Sequence, residues 1–312
     1  MRELRMTLRE SYLPQQEIHF EETDMYTIIG ITGKTGGTAA KTLLAQGQKV
    51  RGIVRNGAKA AEWRERGAEI VAAELSDKAQ MARALEGSEG VYIMLPTYFE
   101  AEDMFAENTR VLASLKDAVM ASGVRKLVFL SSIGAERETG TGAIFKLHEM
   151  EEAFSSLPIS TAAIRAGWFM ENFQGLISSA RETGVLASFL DPLELRVPMI
   201  ATQDIGTLAA DLLQQAWTGH RVIELAAEPA LSAIDVASTF SKVFGREIKA
   251  SIIPRDQWTS TYRSWGLTPR SAEAMAAMIE GFNSHWIAFG DTSAERVVAA
   301  TTLEQVLEET LG

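Results

Sequence analysis

The densest chemistry in the chain lies between Met25 and Thr38, which reads Met-Tyr-Thr-Ile-Ile-Gly-Ile-Thr-Gly-Lys-Thr-Gly-Gly-Thr. Gly30, Gly33 and Gly36 form G-x-x-G-x-x-G at the end of an apolar run. A helix is expected to begin near Thr38. This spacing suits a backbone that must turn tightly from strand to helix, approach a pyrophosphate closely and pack the helix on the sheet. Each of those tasks excludes a Cβ, and the helix N-terminus offers free N–H groups to the anion. Gly33-Lys34-Thr35 also matches the end of a triphosphate-binding loop. That motif needs a further glycine at position 28, where the chain has Ile28, so the dinucleotide reading stands.

The second strand ends in Arg55-Asn56, where a protein selective for NAD carries Asp or Glu. No acid occurs between Asp24 and Glu62. The Arg55 guanidinium can fork onto a ribose 2′-phosphate, with Lys59 nearby, so NADP(H) is the expected cofactor.

A Tyr-x-x-x-Lys pair on one helix face would let the lysine lower the tyrosine pKa for proton transfer to a carbonyl. The residues four after Tyr12, Tyr26, Tyr92, Tyr98 and Tyr262 are Gln16, Gly30, Pro96, Glu102 and Gly266, so the pair is absent. The helix that would carry it, Ala143–Phe154, has a core face of Leu147, Met150 and Phe154. Lys146 flanks this face and can reach a nicotinamide ribose or a substrate oxygen. His148 is a candidate proton donor. Lys146 and His148 are therefore the catalytic candidates, and Ser131 and Ser132 are expected to line the site where their strand ends. No G-x-S-x-G elbow surrounds these serines, which argues against a serine hydrolase. His19, His148, His220 and His285 are scattered, with no metal-ligand spacing, and no metal site is expected.

These residues need a scaffold, and the pattern supplies one. Apolar runs at Met25–Ile31, Lys49–Val54, Glu69–Leu75, Gly90–Leu95, Lys126–Ser131 and Ser160–Arg165 read as strands. Helical stretches fall near Thr38–Gln46, Ala60–Arg66, Lys78–Leu85, Glu102–Ala121 and Ala143–Leu157. The alternation predicts an α/β fold with a doubly wound parallel sheet, its strands apolar throughout because helices cover both faces. Beyond residue 165 the rhythm loosens. A helix is expected over Gln203–Trp217, a strand over Arg221–Ala226 and a helix from Ser232 to Phe244 stopped by Gly245. Another strand is expected at Ile248–Ile253, followed by a helical region, Arg255–His285, rich in tryptophan and methionine. Residues 25–165 are read as the dinucleotide-binding domain and 166–312 as a smaller C-terminal α/β lobe, with about 203–226 returning to the first domain. Residues 1–24 are read as an extension outside the fold.

The 312 residues include no cysteine, which excludes disulfides, thiolate metal sites and thiol nucleophiles and fits a reducing interior. A cytoplasmic protein is expected. The net charge of −11 opposes general electrostatic binding to nucleic acid. No segment has the length and apolarity of a membrane span, and residues 1–24 lack the apolar core of a secretory signal.

Gly30-Ile-Thr-Gly-Lys-Thr-Gly36, Ile53-Val-Arg-Asn56, Leu85-Glu-Gly-Ser-Glu-Gly-Val-Tyr-Ile-Met-Leu-Pro96 and above all Ile164-Arg-Ala-Gly-Trp-Phe-Met-Glu-Asn172 together resemble the NmrA-like family of atypical short-chain dehydrogenases. The resemblance covers residues 25–215 well and the rest loosely. It implies a Rossmann domain, a smaller C-terminal lobe and a cleft between them. It implies that Gly30, Thr32, Gly33, Thr35, Gly36 and Arg55 hold the dinucleotide, that Leu95, Pro96 and Thr97 line its nicotinamide half, and that Gly167, Trp168 and Phe169 border the substrate cleft. Lys34, Lys59, Ser131 and Lys146 are expected beside the cofactor and Tyr98 beside the substrate. Reductases of the family often carry a lysine four residues before a glutamate on the helix after the Ser131 strand. Here Lys146 and Glu151 are five apart. The family divides into NADPH-dependent reductases of quinones or of azo and triphenylmethane dyes, and non-catalytic NADP(H)-binding redox sensors. The first reading is favoured, with a small aromatic substrate as partner. The second is kept as the alternative, and a homodimer is within expectation.

Overall fold

The computed structural model describes residues 24–55 and 57–311. The extension expected over residues 1–24 lies outside them except for Asp24, as does Asn56, and the Lys59 side chain is likewise outside the description. Strands β1 (Met25–Ile29), β2 (Lys49–Val54), β3 (Glu69–Ala72), β4 (Gly90–Ile93), β5 (Lys126–Ser132) and β6 (Ser160–Ala166) pair in parallel in the order β3-β2-β1-β4-β5-β6. The order reverses between β1 and β4, the switch point outside which open α/β sheets bind their ligands.

Helices α1 (Lys34–Ala45), α2 (Ala61–Glu65), α3 (Lys78–Leu85), α4 (Met104–Ser122) and α5 (Phe145–Ser155) connect these strands. Successive strand residues point to opposite faces, and both faces are buried. Ile28 joins Tyr92 and Leu43 of α1 on one side, while Ile29 joins Val91, Phe129, Leu115 of α4 and Phe154 of α5 on the other. Phe129 and Phe154 are fully buried edge-to-face at 5.2 Å, each burial contributing roughly 1.5–3 kcal/mol. Asp77 caps α3 by accepting from the Ala79 and Gln80 amides at 3.0 Å, and Asp103 caps α4 in the same way.

The remaining strands are β7 (Trp168–Phe169), β8 (Val185–Ser188), β9 (Val197–Ile200), β10 (His220–Leu231), β11 (Lys249–Ile252) and β12 (Glu295–Ala299). β10 extends the large sheet beside β6 and also pairs with β9 and β12, while β8 and β11 form a separate parallel pair. Helices α6 (Ile177–Thr183), α7 (Thr202–Gln214), α8 (Ala233–Phe244), α9 (Trp258–Ser264), α10 (Pro269–Asn283) and α11 (Leu303–Leu311) complete the chain. α7 packs on α1 so closely that a Cβ on Gly206 would stand 2.4 Å from the Thr35 carbonyl oxygen. A further core centred on Phe240, Leu186, Val306 and Leu307 belongs to the C-terminal segments.

Two boundaries differ instructively from expectation. α1 begins at Lys34, not near Thr38, because Gly36 lets the first helical turn lie against the glycine turn itself. The expected helix over Arg255–His285 is two helices. Gly266 adopts φ +94°, Thr268 caps α10 and Pro269 opens it, so the chain turns between α9 and α10. Ser232 forms a capping box with Asp235 and Gly245 stops α8 at φ +65°, as the spacing predicts. Among the described residues no helix is long and apolar enough to cross a membrane.

Candidate functional site

The glycine loop follows directly from the end of β1. Gly30 turns at φ +84°, a conformation glycine adopts without strain, and the Gly33 amide donates to its carbonyl at 2.9 Å. A Cβ on Gly36 would lie 2.4 Å from that same oxygen. The loop is therefore a backbone cradle that a side chain would fill. Gly33 is the N-cap of α1, and the first turn holds no acidic residue. The amides of Lys34, Thr35 and Gly36 have no partner within the helix, and the helix dipole makes this end positive. A pyrophosphate fits both features.

Side chains around the loop divide into two groups. Thr35 is buried and accepts a hydrogen bond from the Tyr92 hydroxyl at 3.1 Å, so only its backbone serves the cradle. Thr32 and Lys34 are exposed and line a polar cavity of about 530 Å³. Its opposite wall holds Glu171, whose Oε1 accepts from the Thr202 amide at 2.8 Å and from the Thr202 hydroxyl. Lys34 donates to Gln174, which donates in turn to Thr310 of α11 at 2.6 Å. These contacts fasten the C-terminal helix beside the loop.

Arg55 stands exposed at the end of β2. Burial raises the Tyr98 phenol above its ordinary pKa, and the nearby Arg55 charge opposes that shift. Tyr98 thus looks toward Arg55 and packs on the core beneath α3 and α4; it is not among the residues bordering the large cavity described below. Leu95 is buried beneath this edge, Pro96 is half-buried and Thr97 is exposed.

At the end of β5 the two serines diverge. Ser131 is buried and donates to Glu151 Oε1, whereas Ser132 lines the large cavity. Glu151 is gripped by Arg165 of β6, whose Nη1 also reaches Asp291 Oδ2 at 3.0 Å and Glu136 Oε2 at 3.5 Å. The hydroxyl of Ser131 belongs to this buried ionic network and not to the cavity wall.

One turn earlier on α5, Lys146 is 5% exposed and lines the cavity, and its Nζ has no hydrogen-bond partner. Burial pushes its pKa down to about 8. Its position is set by the turn before α5. Gly142 has φ +55°, and a Cβ there would stand 2.1 Å from the Ala274 carbonyl oxygen of α10. His148 is turned away from the cavity. Its Nδ1 lies 2.9 Å from the Ala135 carbonyl oxygen, and its Nε2 lies 3.8 Å from Glu152. No group of acidic or histidine side chains suited to a metal occurs among the described residues.

The large cavity has a volume of about 570 Å³. Its lining includes Thr97, Ser132, Lys146, Gly167, Trp168 and Phe169. Gly167 is needed there because a Cβ would meet the Pro198 carbonyl oxygen at 2.6 Å. Part of the lining is aromatic. Phe189 and Tyr262 stack at 4.7 Å and 7°, and Trp265 stands edge-on to both. The aromatic content of residues 255–286 is visible in the sequence, but nothing there singles out Phe189 and Leu186, because the 172–200 segment has no strong periodicity. Glu171 and Asn172 stood in a segment already singled out, which was the only signal for them.

The NmrA-like family model matches residues 22–308. An NAD(P)H azoreductase from Xenophilus azovorans is 25% identical over 252 residues, 80% of this chain and 85% of that protein. Quinone oxidoreductase 2 of Escherichia coli is 24% identical over 254 residues, covering 81% and 86%. Among solved structures, triphenylmethane reductase of Citrobacter sp. superposes with a TM-score of 0.78 over 92% of this chain and 99% of that one, at 18% identity. The NADPH complex of an Escherichia coli quinone oxidoreductase gives 0.77 over 92% and 100%, at 22% identity. The likeness to these structures is one of fold.

Proposed function

The chain belongs to the NmrA-like family, and from that premise we propose that it is an NADPH-dependent reductase passing hydride to a small aromatic acceptor of the quinone or dye class. One observation carries this reading. A large apolar cavity, aromatic over part of its lining, opens beside the strand ends where a nicotinamide would lie, and a single buried ammonium lines it.

In this reading the backbone of Gly30, Gly33, Lys34, Thr35 and Gly36 holds the pyrophosphate, with Thr32 at the rim of the cradle. Arg55 takes the 2′-phosphate. Leu95, Pro96 and Thr97 bound the nicotinamide half. Bound NADPH supplies the hydride, and the acceptor takes its remaining proton from Lys146 or water. Trp168 and Phe169 form one wall for the acceptor, Gly167 leaves room for it, and the apolar lining excludes water. Lys146 stabilises negative charge as it develops on the acceptor oxygen or nitrogen. His148 has no part in this step, because its ring faces Ala135 and Glu152. Such acceptors accept hydride with little proton chemistry from the protein, which accommodates the absent tyrosine–lysine pair.

The azoreductase and the quinone oxidoreductase support the same reading through their own activities. The test is consumption of reduced nicotinamide with a panel of quinones and dyes. Turnover on any of them supports a reductase, and tight NADPH binding with turnover on none supports the sensor reading instead.

A further inference from the structure

We propose that the large cavity selects its acceptors by charge: Lys146 admits flat, multi-ring acceptors bearing an acidic oxygen and disfavours cationic ones. The inference rests on the reductase reading and adds the substrate class to it.

Lys146 is the one charged side chain lining the cavity among the described residues. It is 5% exposed, and no oxygen of the protein lies within hydrogen-bonding distance of its Nζ. None of the α5 carboxylates pairs with it. Glu151 is held by Arg165 and Ser131, Glu152 lies on the exposed side of α5 next to His148, and half-buried Glu149 makes no ion pair with the lysine. A buried ammonium normally has a carboxylate or several carbonyls around it, because desolvating it alone is costly. Here no protein group supplies one: a ribose hydroxyl of the dinucleotide can give a hydrogen bond, and the balancing charge is left to the acceptor.

The rest of the lining fixes the ligand's shape. A single ring would leave most of about 570 Å³ unfilled. The Phe189–Tyr262 stack and the Trp265 edge offer a flat aromatic surface in the same cavity, built from the end of α9 and the loop after β8. An acceptor with fused rings lies on aromatic lining of this kind and places its acidic oxygen on the ammonium. A neutral acceptor leaves the ammonium bare. A cationic acceptor sets two like charges in a mostly apolar cavity, where they are screened less than in bulk water.

The test measures binding to the protein saturated with NADP⁺. Three ligands are used: a naphthoquinone whose ring hydroxyl is ionised at neutral pH, the same naphthoquinone without the hydroxyl, and a cationic triphenylmethane dye. NADP⁺ is present throughout, so its charge cancels between variants. The wild type is expected to bind the anionic naphthoquinone at least about tenfold more tightly than the neutral one, and the cationic dye most weakly. Lys146→Met should reduce that preference at least about fivefold, and Lys146→Arg should retain it. Thermal melting of each variant checks that it is folded, and the arginine variant keeps the test decisive should the methionine variant fail to fold. Equal binding of neutral and anionic ligands by the wild type overturns the proposal, as does a preference unchanged in Lys146→Met or tight binding of the cationic dye. Charge-selective binding without turnover of any acceptor would overturn the reductase reading alone. Turnover without charge preference would overturn this inference alone.

Discussion

Arg165 meets Glu151 side-on, its Nε 3.0 Å from Oε1 and its Nη2 2.7 Å from Oε2, with both side chains almost wholly buried. This fork ties β6 to α5, the helix that carries Lys146, and Asp291 on the remaining amino group ties in the loop before β12. Two consecutive elements and a loop 126 residues further along therefore depend on one guanidinium.

Replacing only Arg165 leaves the Glu151 carboxylate buried without its cation. Arg165→Met is expected to lower unfolding free energy by about 3–5 kcal/mol in urea titration. The double variant Arg165→Met/Glu151→Met should recover much of that loss, because it removes the stranded charge as well. A double variant no more stable than the single one would contradict this account of the pair.

Gly36→Ala places a methyl group 2.4 Å from the Gly30 carbonyl oxygen and 2.8 Å from its carbon. Both contacts are with backbone, so the glycine turn must move. NADPH affinity should fall by a factor of about 100 or more, roughly the loss of several phosphate hydrogen bonds. Titration of nucleotide fluorescence measures it, and affinity within threefold of wild type would refute the close approach.

Arg55→Ala should weaken NADPH binding by about tenfold and leave NADH nearly untouched, because only NADPH carries the phosphate that the guanidinium would contact. The two dissociation constants, measured for wild type and variant, decide the matter. A wild type preferring NADH, or a preference unaltered in the variant, would remove Arg55 from the cofactor site.

The lowered pKa of Lys146, about 8, gives two pH signatures. The ammonium loses its proton as pH rises through 8, so an acceptor anionic across the whole range should bind progressively more weakly above that pH. Burial holds the phenol of Tyr262, which lines the same cavity, far above this range and raises Glu149 only from the carboxylate range, and Arg165 is paired with Glu151. For folding the sign is opposite: the ligand-free fold penalises the charged form, so this residue's destabilising effect is full below 8 and fades as pH approaches 10.5. Lys146→Met should accordingly raise stability at neutral pH by on the order of 2 kcal/mol while weakening acceptor binding. A methionine variant less stable than wild type at neutral pH would contradict this placement of the lysine.

Much of the first half was legible from local pattern. The parallel sheet follows from apolar strands alternating with amphipathic helices, and the glycine loop follows from three glycines whose spacing leaves few other uses. The same logic misplaced the start of α1, since nothing local reveals that Gly36 packs on Gly30. Ser131 and Ser132 are adjacent and identical in type, yet strand alternation sends one toward Glu151 and the other to the cavity. The five-residue spacing of Lys146 and Glu151 gained its meaning only from Arg165, which claims the glutamate and leaves the lysine alone. The aromatic part of the cavity lining was least legible, because Phe189, Tyr262 and Trp265 meet through tertiary packing of short, irregular segments.

The central claim is hydride transfer from NADPH to an aromatic acceptor in the cavity beside Lys146. The most direct measurement is a single-turnover experiment in which NADPH-loaded protein is mixed with a quinone or azo dye and the loss of reduced nicotinamide is followed alongside acceptor reduction. The account predicts that both signals decay together in equal amounts, and more slowly in Lys146→Met. Bound NADPH that stays reduced in the presence of every quinone and dye tried would contradict it.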